Sequence, residues 1–442
     1  MRPFQPKRVM SIGNILIGEA LISEPVMFGR RQMRGGLPRP HTAGLAIAIA
    51  FACWPACAQT SPGWTTAWAT SQQALGQARV SNATLRLIAR VTAPGNAIRL
   101  RFDNTFGAAP VTFGKVSVGP RQSANRPAGI SPGLLLPVMF AGEPSVTIAA
   151  GGSVTSDPVP LSVDAQEDLA VSVHVPGADV QASQHSGAVV TSFTTDNGAG
   201  DLTASESGAP FKTKITTMPW LKAIDVRAAA PTTAIVAFGD SITDGTCTTL
   251  DGHDRWEDVV AQRLALQDTT SHSVVNEGIG GNTVTRNVTP PPDSTPGTER
   301  LDRDVLAHAG VSHVVVFMGT NDIRREASAE QVINGLKDIV ARVKARGLKV
   351  IGVTIVPRHN VTPAAGNTGW DDAKTKVRNE VNAWIRGSGA FDGIIDFDRV
   401  VRSAENPDVL KATYNCGDGI HPSPLGYFQM GKSVDLNLFQ TK

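Results

Sequence analysis

The sequence predicts an all-β sandwich followed by an α/β unit built on a five-stranded parallel sheet. Three observations predict it. From about residue 64 to 200, apolar and polar residues alternate with a period of two, the mark of half-buried antiparallel strands. Beyond Pro231, short continuous apolar runs alternate with amphipathic helical stretches, as in sheets covered on both faces. The chain is also rich in punctuation, with 43 glycines and 29 prolines in 442 residues, which suits many short strands and turns.

The N-terminal stretch comes first. After Arg34 and Arg39, an apolar run from Ala43 to Ala52 leads to Ala56-Cys57-Ala58, a cleavage site of the A-x-A type. The run is too short to span a bilayer. Residues 1–58 therefore read as a leader with a signal peptide, Met33 being the expected true start and cleavage following Ala58; an uncleaved N-terminal anchor is the alternative. Cleavage removes Cys53 and Cys57 and sends a mature chain starting near Gln59 to the periplasm or the medium. It then has no membrane attachment.

Residues 59–225 are expected to form the sandwich. Leu85, Leu87, Ala89 and Val91 alternate with Arg86, Ile88 and Arg90. Ile98, Leu100 and Phe102 alternate with Arg99 and Arg101, and Leu169, Val171, Val173 and Val175 repeat the pattern. Several such runs, separated by Gly, Pro, Asn and Asp, point to a jelly-roll-like accessory domain. No internal repeat is present.

Residues 231–442 are expected to form the α/β domain. Candidate strands are 234–238, 273–276, 313–317, 349–355 and 394–397. The clearest helix follows Ser328, placing Val332, Ile333, Leu336, Ile339, Val340 and Val343 on one face before Gly347 stops it. Alternating strands and helices imply right-handed βαβ units. Five strands fit a flavodoxin-like order, in which ligands sit at the C-terminal edge of the sheet.

Four segments carry the chemistry. The apolar run 234–238 leads into Gly239-Asp240-Ser241; Gly280-Gly281-Asn282 follows the second strand and Gly319-Thr320-Asn321-Asp322 the third; Asp418-Gly419-Ile420-His421 lies near the C-terminus. The first three share one rim of the sheet, and the fourth must fold back to it. A serine hydroxyl is a weak nucleophile until an adjacent base takes its proton. His421 is the candidate base, with Asp418 three residues earlier to hold its Nδ1 proton. The backbone N–H groups of Ser241 and Gly281 and the side-chain amide of Asn321 are the candidate oxyanion donors. Taken alone, Gly280-Gly281 is also a turn and Asn321-Asp322 a helix cap. Asp240 is read as structural, hydrogen-bonding its own turn, and Trp256 as core. The loops 289–297 and 358–370 are candidate pocket walls.

Together these segments resemble the SGNH hydrolases, or GDSL esterases/lipases, whose four blocks match Gly239-Asp240-Ser241, Gly281, Gly319-Thr320-Asn321-Asp322 and Asp418-x-x-His421. The resemblance covers about 231–440 and implies a three-layer α/β/α fold. The first block continues with Ile242 where the name-giving motif has leucine. Segments such as Trp64-Thr65-Thr66-Ala67-Trp68 and Arg101-Phe102-Asp103-Asn104-Thr105-Phe106-Gly107 are similar to the N-terminal part of a bacterial exported subgroup.

Composition limits the partners. The formal net charge is only +2, and no Lys/Arg run stands out, so there is no electrostatic footprint for nucleic acid or a membrane surface. His308, His313 and His359 lack metal-ligand spacing, and the chemistry calls for no metal or cofactor. Cys247 and Cys416 remain in the mature chain, six residues after Ser241 and two before Asp418; in an oxidising compartment they are expected to bridge, the alternative being two unrelated buried thiols. The sequence thus predicts an exported serine esterase acting on a small-molecule or polysaccharide ester, with deacetylation of a carbohydrate the first expectation. A broad aryl- or alkylesterase or lipase is one rival, and an inactive carbohydrate-binding protein another.

Overall fold

The computed structural model describes residues 63–440 except 124, 229–231, 268–271 and 359–368. The leader expected over 1–58, with its cleavage site, lies outside the described residues. Residues 58–442 belong to one compact unit.

The period-two runs form antiparallel sheets. Strands Ala83–Val91 and Glu167–Val175 are the centre of a six-stranded sheet. Their register sets Leu85 opposite Val173, Leu87 opposite Val171 and Ala89 opposite Leu169, so one face of the pair is wholly apolar. That face shares a core with Ile98, Leu100 and Phe102 and with Ile224 and Val226 of a four-stranded sheet. Two sheets over one core make the sandwich.

The expectation of half-buried strands needs one correction. Arg86 and Ile88, on the face read as open, are both fully buried. The Arg86 guanidinium donates to the carbonyls of Ala128, Ser205 and Ser207 and to Ser172 Oγ, and stacks on Phe211. Burial draws its pKa down to about 10. A fork of five donors can satisfy itself on neutral oxygens, which is how a cation is tolerated inside this sheet.

The α/β part has parallel strands β1 (Thr233–Gly239), β2 (His272–Gly278), β3 (Val311–Phe317), β4 (Lys349–Val353) and β5 (Gly393–Ile395). Their spatial order is 2-1-3-4-5, the flavodoxin-like arrangement expected. Alternate residues of one strand enter different cores. Val236 and Phe238 pack with Leu336 and Ile339, whereas Ile235 and Ala237 pack with Trp256, Tyr427 and Met430. Continuous apolar runs such as Val314-Val315-Val316 follow from that two-sided burial.

The helices are α1 (Ser241–Asp244), α2 (Trp256–Leu266), α3 (Gly297–Leu301), α4 (Thr320–Arg324), α5 (Ala329–Ala345), α6 (Asp372–Gly387), α7 (Phe397–Val401) and α8 (Pro424–Ser433). Helix α5 shows why the sequence was readable there. Ser328 and Gln331 form a reciprocal capping box, and Val332, Leu336, Ile339, Val340 and Val343 are buried. Gly347 follows its end with φ +70°, the left-handed turn that closes the helix. Trp256 is core, packed edge-on against Phe397.

The seam between the two parts is polar and buried. Arg300 of α3 donates to Ser71 Oγ in the sandwich (2.8 Å), and to the carbonyls of Glu277 on β2 (2.9 Å) and Gly239 on β1 (2.9 Å). Its Nε reaches Asn282 Oδ1 (3.0 Å), and its plane lies 4.2 Å from the Phe238 ring centroid. Lys222 of the sandwich pairs with Asp304 at 2.7 Å. Replacing Arg300 with methionine keeps the volume but removes all of these hydrogen bonds at once. Arg300→Met is expected to lower the unfolding free energy by about 3–5 kcal/mol in urea titrations, the usual cost of breaking a buried charged network.

Candidate active site

Strand β1 delivers the serine. A Cβ on Gly239 would fall 2.1 Å from Thr243 Oγ1 and 2.9 Å from the Phe317 carbonyl, so only glycine lets the chain fold back here. Asp240 is the N-cap of α1 and accepts from the Ile242 N–H at 3.0 Å. Burial pushes its carboxyl up to about 6. Ser241 occupies the first helical position, where a backbone N–H has no intrahelical partner.

The C-terminal segment folds back to this rim. Ser241 Oγ lies 2.8 Å from His421 Nε2, and His421 Nδ1 lies 2.6 Å from Asp418 Oδ2. The other Asp418 oxygen accepts from the backbone N–H groups of Ile420 (2.8 Å) and His421 (2.9 Å). Burial alone would raise the Asp418 carboxyl. The hydrogen bonds from the His421 ring and from these two amides outweigh it and draw the pKa down to about 2. An ionised carboxylate therefore faces Nδ1, which fixes the tautomer: Nδ1 carries the proton and Nε2 is free to accept from the serine.

The loops after β2 and β3 complete the rim. Gly281 has φ +72°, and nothing lies within 4 Å of where its Cβ would be, so the space over this residue is open. Asn321 Nδ2 donates to the Asn282 carbonyl at 3.1 Å, while Arg358 Nη1 lies 3.5 Å from Asn321 Oδ1. This sets which end of the amide is the donor. Asp322 does not cap its own helix. Its carboxylate accepts from Val284 N–H (2.9 Å) and Thr285 N–H (3.1 Å), pinning the loop that follows Gly281, and burial pushes its pKa up to about 7.

Cys247 and Cys416 form a disulfide across 169 residues, with Cα atoms 6.2 Å apart. It joins the loop after α1 to the loop bearing Asp418. Cys247, Cys416 and Asp418 are also the one donor group of metal-binding geometry among the described residues, but both thiols are spent in the bridge. His308 and His313 are held elsewhere, by Glu277 and by Ser312, and His359 lies outside the described residues. Of the two candidate wall loops, 289–297 is anchored beside the site: Asn282 Nδ2 donates to Ser294 Oγ and to the Thr295 carbonyl. The other falls mostly outside the described residues.

Sequence reasoning missed Asp244, Arg300 and Arg358. Asp244 Oδ2 accepts from the Gly280 N–H at 2.9 Å, one residue before Gly281. The sequence signal available was its place on the serine-bearing turn, Ser241-Ile242-Thr243-Asp244; no signal marked the partners of the two arginines.

Two expectations follow. In Cys247→Ser/Cys416→Ser the unfolded chain is freed from a closure spanning 169 residues and gains entropy, and thermal unfolding should show a loss of about 2–5 kcal/mol relative to the bridged protein. The depressed Asp418 carboxyl stabilises the fold fully above the ordinary carboxylate value of about 4, and this contribution is lost as pH falls through about 2. The stability difference between wild type and Asp418→Ala, from urea titrations at a series of pH values, should shrink across that interval and not above it.

Comparison with known proteins places the chain. No curated protein sequence matches it. Among solved structures it is similar to a carbohydrate acetylesterase family member from Sinorhizobium meliloti, at 18% identity and TM-score 0.37, covering 46% of this chain and 94% of that one. It is similar to an aryl esterase of M. smegmatis at 19% identity and TM-score 0.36, covering 45% and 94%. A GDSL-like lipase from Bacteroides thetaiotaomicron aligns at 17% identity and TM-score 0.34, covering 47% and 87%. Residues 237–428 match the GDSL-like Lipase/Acylhydrolase family. That span runs from the strand before Ser241 to beyond His421, and the chain carries a GDSL-like lipase/acylhydrolase domain, of the class that hydrolyses acyl esters.

Proposed function

We propose that this protein is an exported serine esterase working through an acyl-enzyme, and that its substrate is an acetylated carbohydrate. The observation that carries the reading is the relay from Ser241 Oγ to His421 Nε2 (2.8 Å) and from His421 Nδ1 to Asp418 (2.6 Å). Ser241 Oγ attacks the ester carbonyl carbon while His421 Nε2 takes its proton, and the ionised Asp418 stabilises the imidazolium. The carbonyl electron pair moves to oxygen, which accepts from the Ser241 N–H, the Gly281 N–H and Asn321 Nδ2. Collapse of the intermediate expels the alcohol, protonated by His421. Water, deprotonated by the same imidazole, then attacks the acyl-enzyme and releases the acid and the serine.

The open space over Gly281 supports entry of a substituent presented on a large alcohol, and a small acyl group suits a rim better than a deep tunnel. Export draws support from the Cys247–Cys416 bridge, which persists in oxidising compartments. Among the described residues no helix is long and apolar enough to cross a membrane.

The test is an ester panel: acetylated xylo- and chito-oligosaccharides, 4-nitrophenyl acetate and long-chain 4-nitrophenyl esters, on wild type beside Ser241→Ala and Asn321→Ala. Acetate release from the oligosaccharides is expected, with turnover abolished in Ser241→Ala. In Asn321→Ala, kcat should fall by about 10²–10³ with KM little changed. Turnover confined to long acyl chains would overturn the substrate assignment. A Ser241 that an organophosphonate fails to label would overturn the mechanism.

A further inference from the structure

One contact of the sandwich with the rim is made by a buried histidine. His185, the last residue of strand Val180–His185, is 1% exposed, and its ring sits between two oxygen acceptors. Nδ1 lies 2.9 Å from the Ser71 carbonyl and Nε2 lies 2.9 Å from Asp244 Oδ1. A carbonyl can only accept, so Nδ1 carries a proton. A carboxylate can only accept, so a second proton must lie between Nε2 and Asp244. The pair is an imidazolium–carboxylate bridge joining the sandwich to the turn that bears Ser241.

The bridge continues to the loop after β2. The free oxygen of Asp244 takes the Gly280 N–H at 2.9 Å. Gly280 and Gly281 have no side chains to restrain their backbone, so the direction of the Gly281 N–H depends on what grips the loop from outside. Asn282 and Asp322 grip it from the far side. Asp244 grips it from the near side.

We propose that His185 is a positioning residue for the oxyanion donor: the charged His185–Asp244 pair fixes Gly280 and so aims the Gly281 N–H at the developing oxyanion. The proposal rests on the acyl-transfer reading above and deepens it, since it makes the sandwich part of the catalytic apparatus. Burial disfavours the imidazolium, but the charge and hydrogen bond of Asp244 and the Ser71 carbonyl outweigh it and hold the pKa above the ordinary histidine value, with Arg255 opposing. Arg255 also donates to the Asp244 carbonyl at 2.9 Å. Arg90, His253, Asp254, Glu257 and Asp258 line the hollow that His185 borders. The bridge is intact below the ordinary histidine value and is lost as pH rises through the raised one.

The experiment measures kcat and KM for 4-nitrophenyl acetate across pH in wild type, His185→Ala, Asp244→Ala and Asp244→Asn, each well below its melting temperature. His185→Ala and Asp244→Ala should lower kcat about 10–100-fold with KM within about twofold, the cost of a donor misplaced by up to roughly 1 Å. Asp244→Asn is the decisive variant. Its amide oxygen can accept from Gly280, and its amide nitrogen can donate to a neutral His185 ring. It should regain much of the kcat lost in Asp244→Ala, and its profile should lack the alkaline limb of the wild type. A wild-type kcat in His185→Ala, or an alkaline limb unchanged in Asp244→Asn, overturns the proposal even if both proteins melt earlier. Failure of the acyl-transfer reading looks different: wild type itself then neither turns over esters nor reacts with an organophosphonate at Ser241, and the proposal falls with it.

Discussion

The buried guanidinium of Arg300 is the interaction on which the rest of the arrangement depends. The C-terminal ends of β1 and β2 lie at the rim where the chain turns into the loops of the candidate site. Arg300 takes the Gly239 and Glu277 carbonyls together, and adds Asn282 beside Gly281 and Ser71 from the sandwich. A lysine could not do this, because four oxygens in different directions require a rigid planar fork. The cost of removing the charge from water is offset by these hydrogen bonds and by Asp304 as the counter-charge. One side chain thus fixes the spacing of two strand ends and ties the sandwich to them.

Carboxylates do the finer work along the same rim. Asp240 holds the turn that presents Ser241, Asp244 holds Gly280, and Asp322 holds Val284 and Thr285. Each accepts backbone N–H groups from a loop of small residues. Burial raises the carboxyl groups of Asp240 and Asp322 to about 6 and about 7. These clamps hold the backbone of the glycine-rich loops in place, the preorganisation that the proposed oxyanion site requires.

What could be read in the sequence follows from the range of the interactions. The parallel strands were legible because two-sided burial writes continuous apolar runs, and α5 because its cap, stripe and terminal glycine are all local. Three of the site segments were legible because each sits at a strand end with a distinctive residue, the fourth because it pairs Asp418 with His421 at close spacing, and the cysteines because they flank two of those segments. Arg300 was not legible: Ser71 lies 229 positions away, and a single buried pairing leaves no periodicity. His185 ends an ordinary-looking strand, 59 residues from Asp244. Arg86 misled for a related reason, since alternation records the face a strand offers but not whether another segment later covers it.

Chain order gives the Ser241–His421 contact a further meaning. The two residues are 180 positions apart, with the histidine close to the end of a 442-residue chain and Ser71 and His185 in its first half. During synthesis the sandwich strands and the serine turn emerge long before the base exists. Until the segment bearing His421 folds back to the rim, Ser241 is a hydroxyl without its imidazole partner. Timing, as well as location, is thereby written into the topology.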